Sequence, residues 1–228
     1  MLTIIASPIG SVEETSLQVT KSLTSSDIIL CEDTRTFVPF YKRIQELFKI
    51  NAHANQKVLS YYKVNEFKEL PKVVAYLEEN KDVALISEAG TPLLSDPGRL
   101  LIETCQKRGI AYTSIPGSSA ITNAGVLSGC RFENFLFVGF LPKKSSQLEK
   151  QLLVYKNLAK TLKHLEICFF ESPNRIQETL NVLSALLPEV TVCVCREMNK
   201  KFEEVTIGLP KNLGNHTYKG ELTIIIIF

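Results

Sequence analysis

An α/β fold in two lobes is the architecture this sequence predicts, and three observations predict it. Short apolar, β-branched runs alternate with amphipathic segments through the first half. A proline–glycine break, IPGSSA at residues 115–120, interrupts that alternation near the middle of the chain. Beyond it, several strand-like runs follow one another with no helical segment between them. Alternating strands and helices specify a parallel sheet, whereas consecutive strands specify antiparallel pairing. We therefore expect a mostly parallel first lobe over residues 1–116 and a mixed-sheet second lobe over residues 117–228.

Each element follows from its local pattern. LTIIA opens the chain as a strand, EETSLQVTKSL reads as a helix, and DIILC is the second strand. The turn EDTR leads into the helical FVPFYKRIQELFK, and KVLSYY is a weaker third strand. NEFKELPKVVAYLEEN is helical, with Pro71 expected at a boundary or kink. DVALIS reads as a strand buried on both faces, as in parallel sheets. Helix RLLIETCQKRG and strand AYTSI complete the first half. The second half offers a helix to about Leu127, strand FLFVGF, a polar helix over about 145–163, strand EICFFE and helix NRIQETLNVLSALL. TVCVCRE, FEEVTIG, an NLGNH turn and the strand GELTIIIIF close it.

Composition narrows the function classes. Hydrophobic residues at 45% and charged residues at 22% are ordinary for a globular protein, and a net charge of +2 gives no general basic surface for nucleic acid. The six cysteines are scattered, four of them in or beside strand-like runs, and CVC at 193–195 lacks the spacer of a zinc site. No disulfide and no metal are expected. The first ten residues are interrupted too early for a signal peptide, and the longest apolar run is far below spanning length. The expected compartment is the cytoplasm, away from the membrane.

Chemistry is expected in the turns, because open parallel sheets bind ligands beyond the carboxyl ends of their strands. SPIGS at residues 7–11 suits a ligand approaching a helix N-terminus, or simply a tight turn. CEDTR offers Glu32 and Asp33 toward a substrate hydroxyl and Arg35 toward phosphate; equally, Asp33 caps the next helix and the charges pair among themselves. SEAGTPLLSDPGR exceeds the roughly 2–6 residues such a connection needs. Its glycines and prolines suit a rigid binding loop, the alternative being a surface turn that ends in an Asp96 cap. IPGSSA sets two serines beside a helix start. FFESPNR and CREMNKKFEE are again strands that end in charges. The three histidines stand apart, and no nucleophile, triad or dinucleotide fingerprint is present, which disfavours an oxidoreductase.

Taken together, SPIGS, CEDTR, SEAGTPLLSDPG, IPGSSA, GFLPKK, FFESPNR, REMNKKFEE and KGE resemble, in that order, the tetrapyrrole methylase superfamily of S-adenosylmethionine-dependent methyltransferases. Within it the sequence is most similar to the bacterial enzymes that methylate a cytidine ribose 2′-oxygen in small-subunit ribosomal RNA. The resemblance implies two α/β lobes with the cofactor in the cleft between them. Carried over by motif, it implies cofactor contacts at Gly90, Thr91, Leu94, Ser95, Ser119, Ala120, Phe170 and Cys195. It implies a homodimer, with ribosomal RNA or the small ribosomal subunit as partner. Three departures stand out: Glu88 replaces a usual aspartate, Asn174 a common histidine and Ser11 a usual asparagine. Members acting on ribosomal RNA commonly carry a further small C-terminal segment, whereas this sequence ends after the last apolar run.

Methyl transfer from a sulfonium is mostly alignment, with a proton acceptor needed for a ribose hydroxyl. Glu32, Asp33 and Glu171 are the candidate acceptors, and Arg35, Lys143, Lys144, Lys200 and Lys201 the candidate phosphate contacts. Two other functions fit the same motifs. One is a methyltransferase of this fold acting on a tetrapyrrole or a modified protein side chain. The other is a non-catalytic RNA-binding or ribosome-assembly factor.

Overall fold

The computed structural model describes residues 1–94 and 96–228 and divides into two compact units, Met1–Ser119 and Ala120–Phe228. In the first unit, β1 (Leu2–Ile5), β2 (Ile28–Cys31), β3 (Lys57–Ser60), β4 (Val83–Ile86) and β5 (Tyr112–Ile115) form one sheet. Its order is β3-β2-β4-β1-β5 and every pair is parallel. The three central strands are buried throughout, because LTII, IILC and VALI carry apolar side chains toward both faces.

The crossovers explain how the two faces are covered. Connections from β1 and β2 run toward the β3 edge, and those from β3 and β4 run back toward β5. Right-handed crossovers in opposite directions place their helices on opposite faces. Accordingly, α1 (Leu17–Ser25) and α2 (Thr34–Phe48) pack Val19, Leu23, Phe37, Tyr41 and Ile44 onto Ile5, Ile29 and Ile86. On the other face, α3 (Glu66–Glu78) and α4 (Arg99–Arg108) pack Val73, Val74, Leu77 and Leu101 onto Ile4, Leu30 and Leu85. The chain leaving β4 thus turns toward one face while its neighbours β1 and β2 turn toward the other. That divergence opens a crevice at the carboxyl end of β4.

One element differs from expectation and another narrows it. The helix expected from residue 13 begins at Leu17, after a separate 3-10 turn at Val12–Glu14, because Ser16 caps the main helix by accepting from Val19 N–H. Of the two places expected for Pro71, a boundary or a kink, the boundary is excluded, because it lies inside α3. It sits on the exposed side, where water can satisfy the carbonyl its missing N–H leaves unpaired.

The second unit holds β6 (Asn134–Phe140), β7 (Leu165–Glu171), β8 (Thr191–Arg196), β9 (Glu204–Gly208) and β10 (Leu222–Ile227) in the order β6-β7-β10-β8-β9. Only β6 and β7 pair in parallel, so the sheet is mixed. One face carries Ile167, Phe169, Val192, Val194, Ile224 and Ile226 against α6 (Ser145–Ala159) and α7 (Ile176–Leu186). The other face lies under α5 (Ala120–Ser128), and a four-residue helix, α8 (Pro210–Leu213), leads into the NLGNH turn. Among the described residues no helix is long and apolar enough to cross a membrane, and no group of metal-ligating side chains occurs.

Candidate active site on the rim of the first sheet

The turn after β4 is held from both sides. Ser7 N–H donates to Gly90 O at 2.9 Å, Gly90 N–H donates to Pro8 O at 3.3 Å, and the buried Ser87 hydroxyl donates to Gly90 O at 2.8 Å. Gly90 has φ +75°, a left-handed conformation that costs a side chain strain. Thr91 Oγ1 reaches Ser118 O at 3.4 Å, which ties in the turn after β5. Leu93 adopts φ 74°, rare for a branched residue, and Leu94 beside it is exposed. Ser95 lies outside the described residues. At the far end Gly98 has φ +114°, and a Cβ there would stand 2.5 Å from Leu85 Cδ2, so only glycine fits. Its N–H donates to Glu66 Oε1 at 2.9 Å, and the same oxygen accepts from Tyr61 Oη at 3.3 Å. The turn is thus tied down at Gly90 and Thr91 and again at Gly98.

Carboxylates converge above this crevice. Glu32 follows β2, which lies beside β4, and its Oε1 accepts Glu88 N–H at 3.3 Å. Thr36 Oγ1 donates to Glu88 Oε1 at 2.9 Å. Burial, with the Glu88 charge adding to it, holds the Glu32 carboxyl above the ordinary glutamate range. Asp96 is pushed up to about 7 by burial and by the charges of Glu32 and Glu88. It does not cap α4: the cap residue is Gly98, without a side-chain bond. Sequence reasoning therefore missed Asp96 as a titrating group. Cys31, pushed up to about 12 by burial and by the charges of Asp33, Glu88 and Glu32, is inert as a nucleophile.

Asp33 behaves differently. It caps α2 through Arg35 N–H at 2.8 Å and grips the Arg35 guanidinium at 2.6–3.1 Å. Those bonds hold its carboxyl down at about 2, leaving a poor proton acceptor at neutral pH. The SPIGS turn is likewise self-satisfied. Glu14 accepts the N–H groups of Ile9, Gly10 and Ser11 at 3.0, 2.9 and 2.8 Å, in a capping box with Ser11. Its amides face their own carboxylate and not a ligand.

In the second unit two expectations are corrected. The Glu171 side chain is wholly buried; its oxygens accept Ser172 N–H at 2.8 Å and Thr179 Oγ1 at 2.9 Å, with Arg175 at 3.5 Å. Arg175 also donates to the carbonyls of Leu141 and Pro142. Glu171 fastens strand to helix and presents no lone pair to a substrate. Cys195 is fully buried in mid-sheet, paired with Thr223 and Val205, its thiol against Cys193 Sγ at 3.6 Å. No atom of it is at the surface to meet a cofactor. Phe170 is partly exposed and packs edge-on to Phe137, and Ala120 begins α5. Lys143 and Lys144 are exposed just before α6, Lys201 lies over the Phe202 ring, and Lys200 is paired with Glu221 at 2.7 Å and Glu197 at 3.6 Å.

Comparison with known proteins decides the family. Residues 1–213 match the family described as Tetrapyrrole (Corrin/Porphyrin) Methylases. The chain belongs to that family. Methyltransferases of this kind use S-adenosylmethionine. Ribosomal RNA small subunit methyltransferase I of Hydrogenobaculum sp. (strain Y04AAS1) is 35% identical to this tetrapyrrole methylase over 230 residues, spanning 99% of this chain and 94% of that one. The protein of the same name from Thermotoga maritima is 34% identical over 232 residues, spanning 99% and 97%. Among solved structures, the methyltransferase CobJ superposes with a TM-score of 0.71 at 16% identity, covering 99% of this chain and 92% of that one. Diphthine synthase superposes with 0.69 at 15%, covering 100% and 90%. At such identities the solved structures share the fold alone, whereas the sequence relatives share the chain nearly end to end.

Proposed function

We propose that this tetrapyrrole methylase transfers a methyl group from S-adenosylmethionine to a cytidine ribose 2′-oxygen in small-subunit ribosomal RNA. The observation that carries the reading is the identity of about one third, over essentially full length, to proteins named for methylating that RNA. The rim of the first sheet suits the cofactor in charge and shape. Glu32, Glu88 and Asp96 set negative charge where a sulfonium would sit, and the Gly90–Thr91 backbone and exposed Leu94 supply a rigid polar and apolar edge. Gly90, Thr91, Leu94, Ser95 and Ser119 are the residues we assign to holding it.

When bound, the cofactor supplies an activated methyl group on a good leaving group. This chain's part is to orient the acceptor oxygen, exclude water and take a proton. Among the carboxylates, Asp96 and Glu32 suit the last task, since an acceptor works best with a pKa near the working pH. Asp33 and Arg35 satisfy each other, which leaves Arg35, 88% exposed at its side chain, able to turn its outer edge to phosphate. Lys143 and Lys144 precede the N-terminus of α6, where two ammonium groups and the helix dipole favour the same anion.

The test is transfer of labelled methyl from the cofactor to small ribosomal subunits lacking this modification, followed by alkaline hydrolysis. A 2′-O-methyl group removes the internal nucleophile, so one phosphodiester following a cytidine should resist cleavage. Label in a tetrapyrrole or protein fraction, with none in RNA, would reject the substrate while keeping methyl transfer. Failure to bind cofactor by calorimetry would reject both and leave an RNA-binding factor.

A further inference from the structure

The turn after β1 carries a feature that the carboxylates do not explain. Ser7 and Thr15 are 4% and 6% exposed, and neither hydroxyl oxygen meets a hydrogen-bond partner. Buried hydroxyls are ordinarily bonded, because burial removes water and something must replace it. Both line one small void of about 20 Å³, together with Ser16 and with Pro116, Gly117 and Ser118 of the turn after β5.

We propose that this void holds one ordered water molecule, bonded to Ser7 Oγ and Thr15 Oγ1, as a fixed part of the fold. An internal water needs roughly 10–15 Å³ of such space and two to four polar partners. The void is one molecule's room. Ser16 lines it too; its Oγ accepts Val19 N–H at 3.1 Å and keeps its own proton to donate. Collapse cannot close the space, because the turns already touch: a Cβ on Gly117 would stand 2.8 Å from Ala6 Cβ. Two orphaned hydroxyls in a space of that size are satisfied by water more simply than by any rearrangement.

The water would also position the proposed cofactor loop. Ser7 N–H holds Gly90 O, Pro8 O holds Gly90 N–H, and Ser118 O receives the Thr91 hydroxyl. The backbone that walls the void is therefore the backbone that fixes Gly90 and Thr91. This consequence rests on the cofactor reading above; the water itself does not.

The experiment compares the wild-type protein, the Ser7→Ala/Thr15→Val double variant and Thr15→Ser by ¹⁷O magnetic relaxation dispersion, with a high-resolution crystal structure of the wild type. Expected are density within hydrogen-bonding distance of both hydroxyls, one long-lived water fewer in the double variant, and its retention in Thr15→Ser. An empty void in the wild-type crystal overturns the proposal, as does an ion at metal-coordination distances. Should the double variant fail to fold, the wild-type density and Thr15→Ser still decide. Calorimetry with S-adenosylmethionine on the same proteins reads the positioning role: several-fold weaker binding in the double variant alone supports it, and unchanged binding with the water gone overturns it. A wild type that binds no cofactor sinks the functional reading instead and leaves the relaxation result to judge the water.

Discussion

At the end of β2 the run ILCEDTR, and at the end of β7 the run CFFESPNR, share a pattern: apolar strand, glutamate, then arginine three or four residues on. Their glutamates meet opposite fates. Glu171 is sealed in with Thr179, Ser172 and Arg175 around it. Glu32 stays half-buried at a crevice, takes one amide hydrogen bond and, among the described residues, has no cation beside it. The intervening residue decides. Asp33 gives Arg35 a nearer partner and draws it outward, whereas Ser172, Pro173 and Asn174 offer no charge, so Arg175 turns back to Glu171. A single acid between strand end and arginine separates a carboxylate left half-buried at the rim from one sealed in as a fastener.

The largest effect expected from this contrast is on stability. Glu171→Ala strands the Thr179 hydroxyl and the mostly buried Arg175, and breaking a buried pair from one side costs about 3–5 kcal/mol. Urea denaturation should show it; a loss under about 1 kcal/mol would mean that Glu171 is not a fastener. Glu32→Gln and Asp96→Asn should do the reverse, leaving the fold intact while turnover at saturating cofactor falls by about a hundredfold or more for whichever residue takes the proton. Equal, undiminished rates in both would remove the carboxylates from the chemistry. Asp96 also makes a pH prediction. Its carboxyl rises from an ordinary 3.8 to about 7 on folding, so the folded protein binds more protons across that window. Its contribution to stability therefore declines as pH rises from about 4 to 7. Asp96→Asn should flatten that slope and be the more stable protein at pH 8; a parallel pH profile would show that Asp96 titrates normally.

How far the sequence revealed this site follows from the range of the interactions. LTII, IILC and VALI declare themselves because strands buried on both faces must be apolar throughout. The capping of α2 by Asp33 was legible as one of two local alternatives, and the S-x-x-E pattern of Ser11 and Glu14 is a local signature as well. Asp96 was not legible. Its neighbours Glu32 and Glu88 reach it only because β2 pairs with β4, and no local pattern states that adjacency. The burial of Glu171 and Cys195 was hidden for the same reason: burial is a property of the packed sheet. Pro71 left a boundary and a kink open, and the helix runs through it because a proline on the exposed side has water to satisfy the carbonyl it orphans.

A smaller effect would sharpen the contrast at β2 itself. If Asp33 is what keeps Arg35 away from Glu32, then Asp33→Asn frees the guanidinium to turn toward Glu32. A cation drawn close lowers a carboxyl's pKa. Should Glu32 take the proton, the acid limb of the pH–rate profile would move to lower pH in Asp33→Asn. It would move back when Arg35→Gln is added, since the double variant has no cation to offer. Asparagine caps a helix as well as aspartate does, so the α2 cap persists in both variants and their difference isolates the charge. A limb that stays put in Asp33→Asn, with both proteins folded, would mean that Arg35 is kept outward by something other than its aspartate.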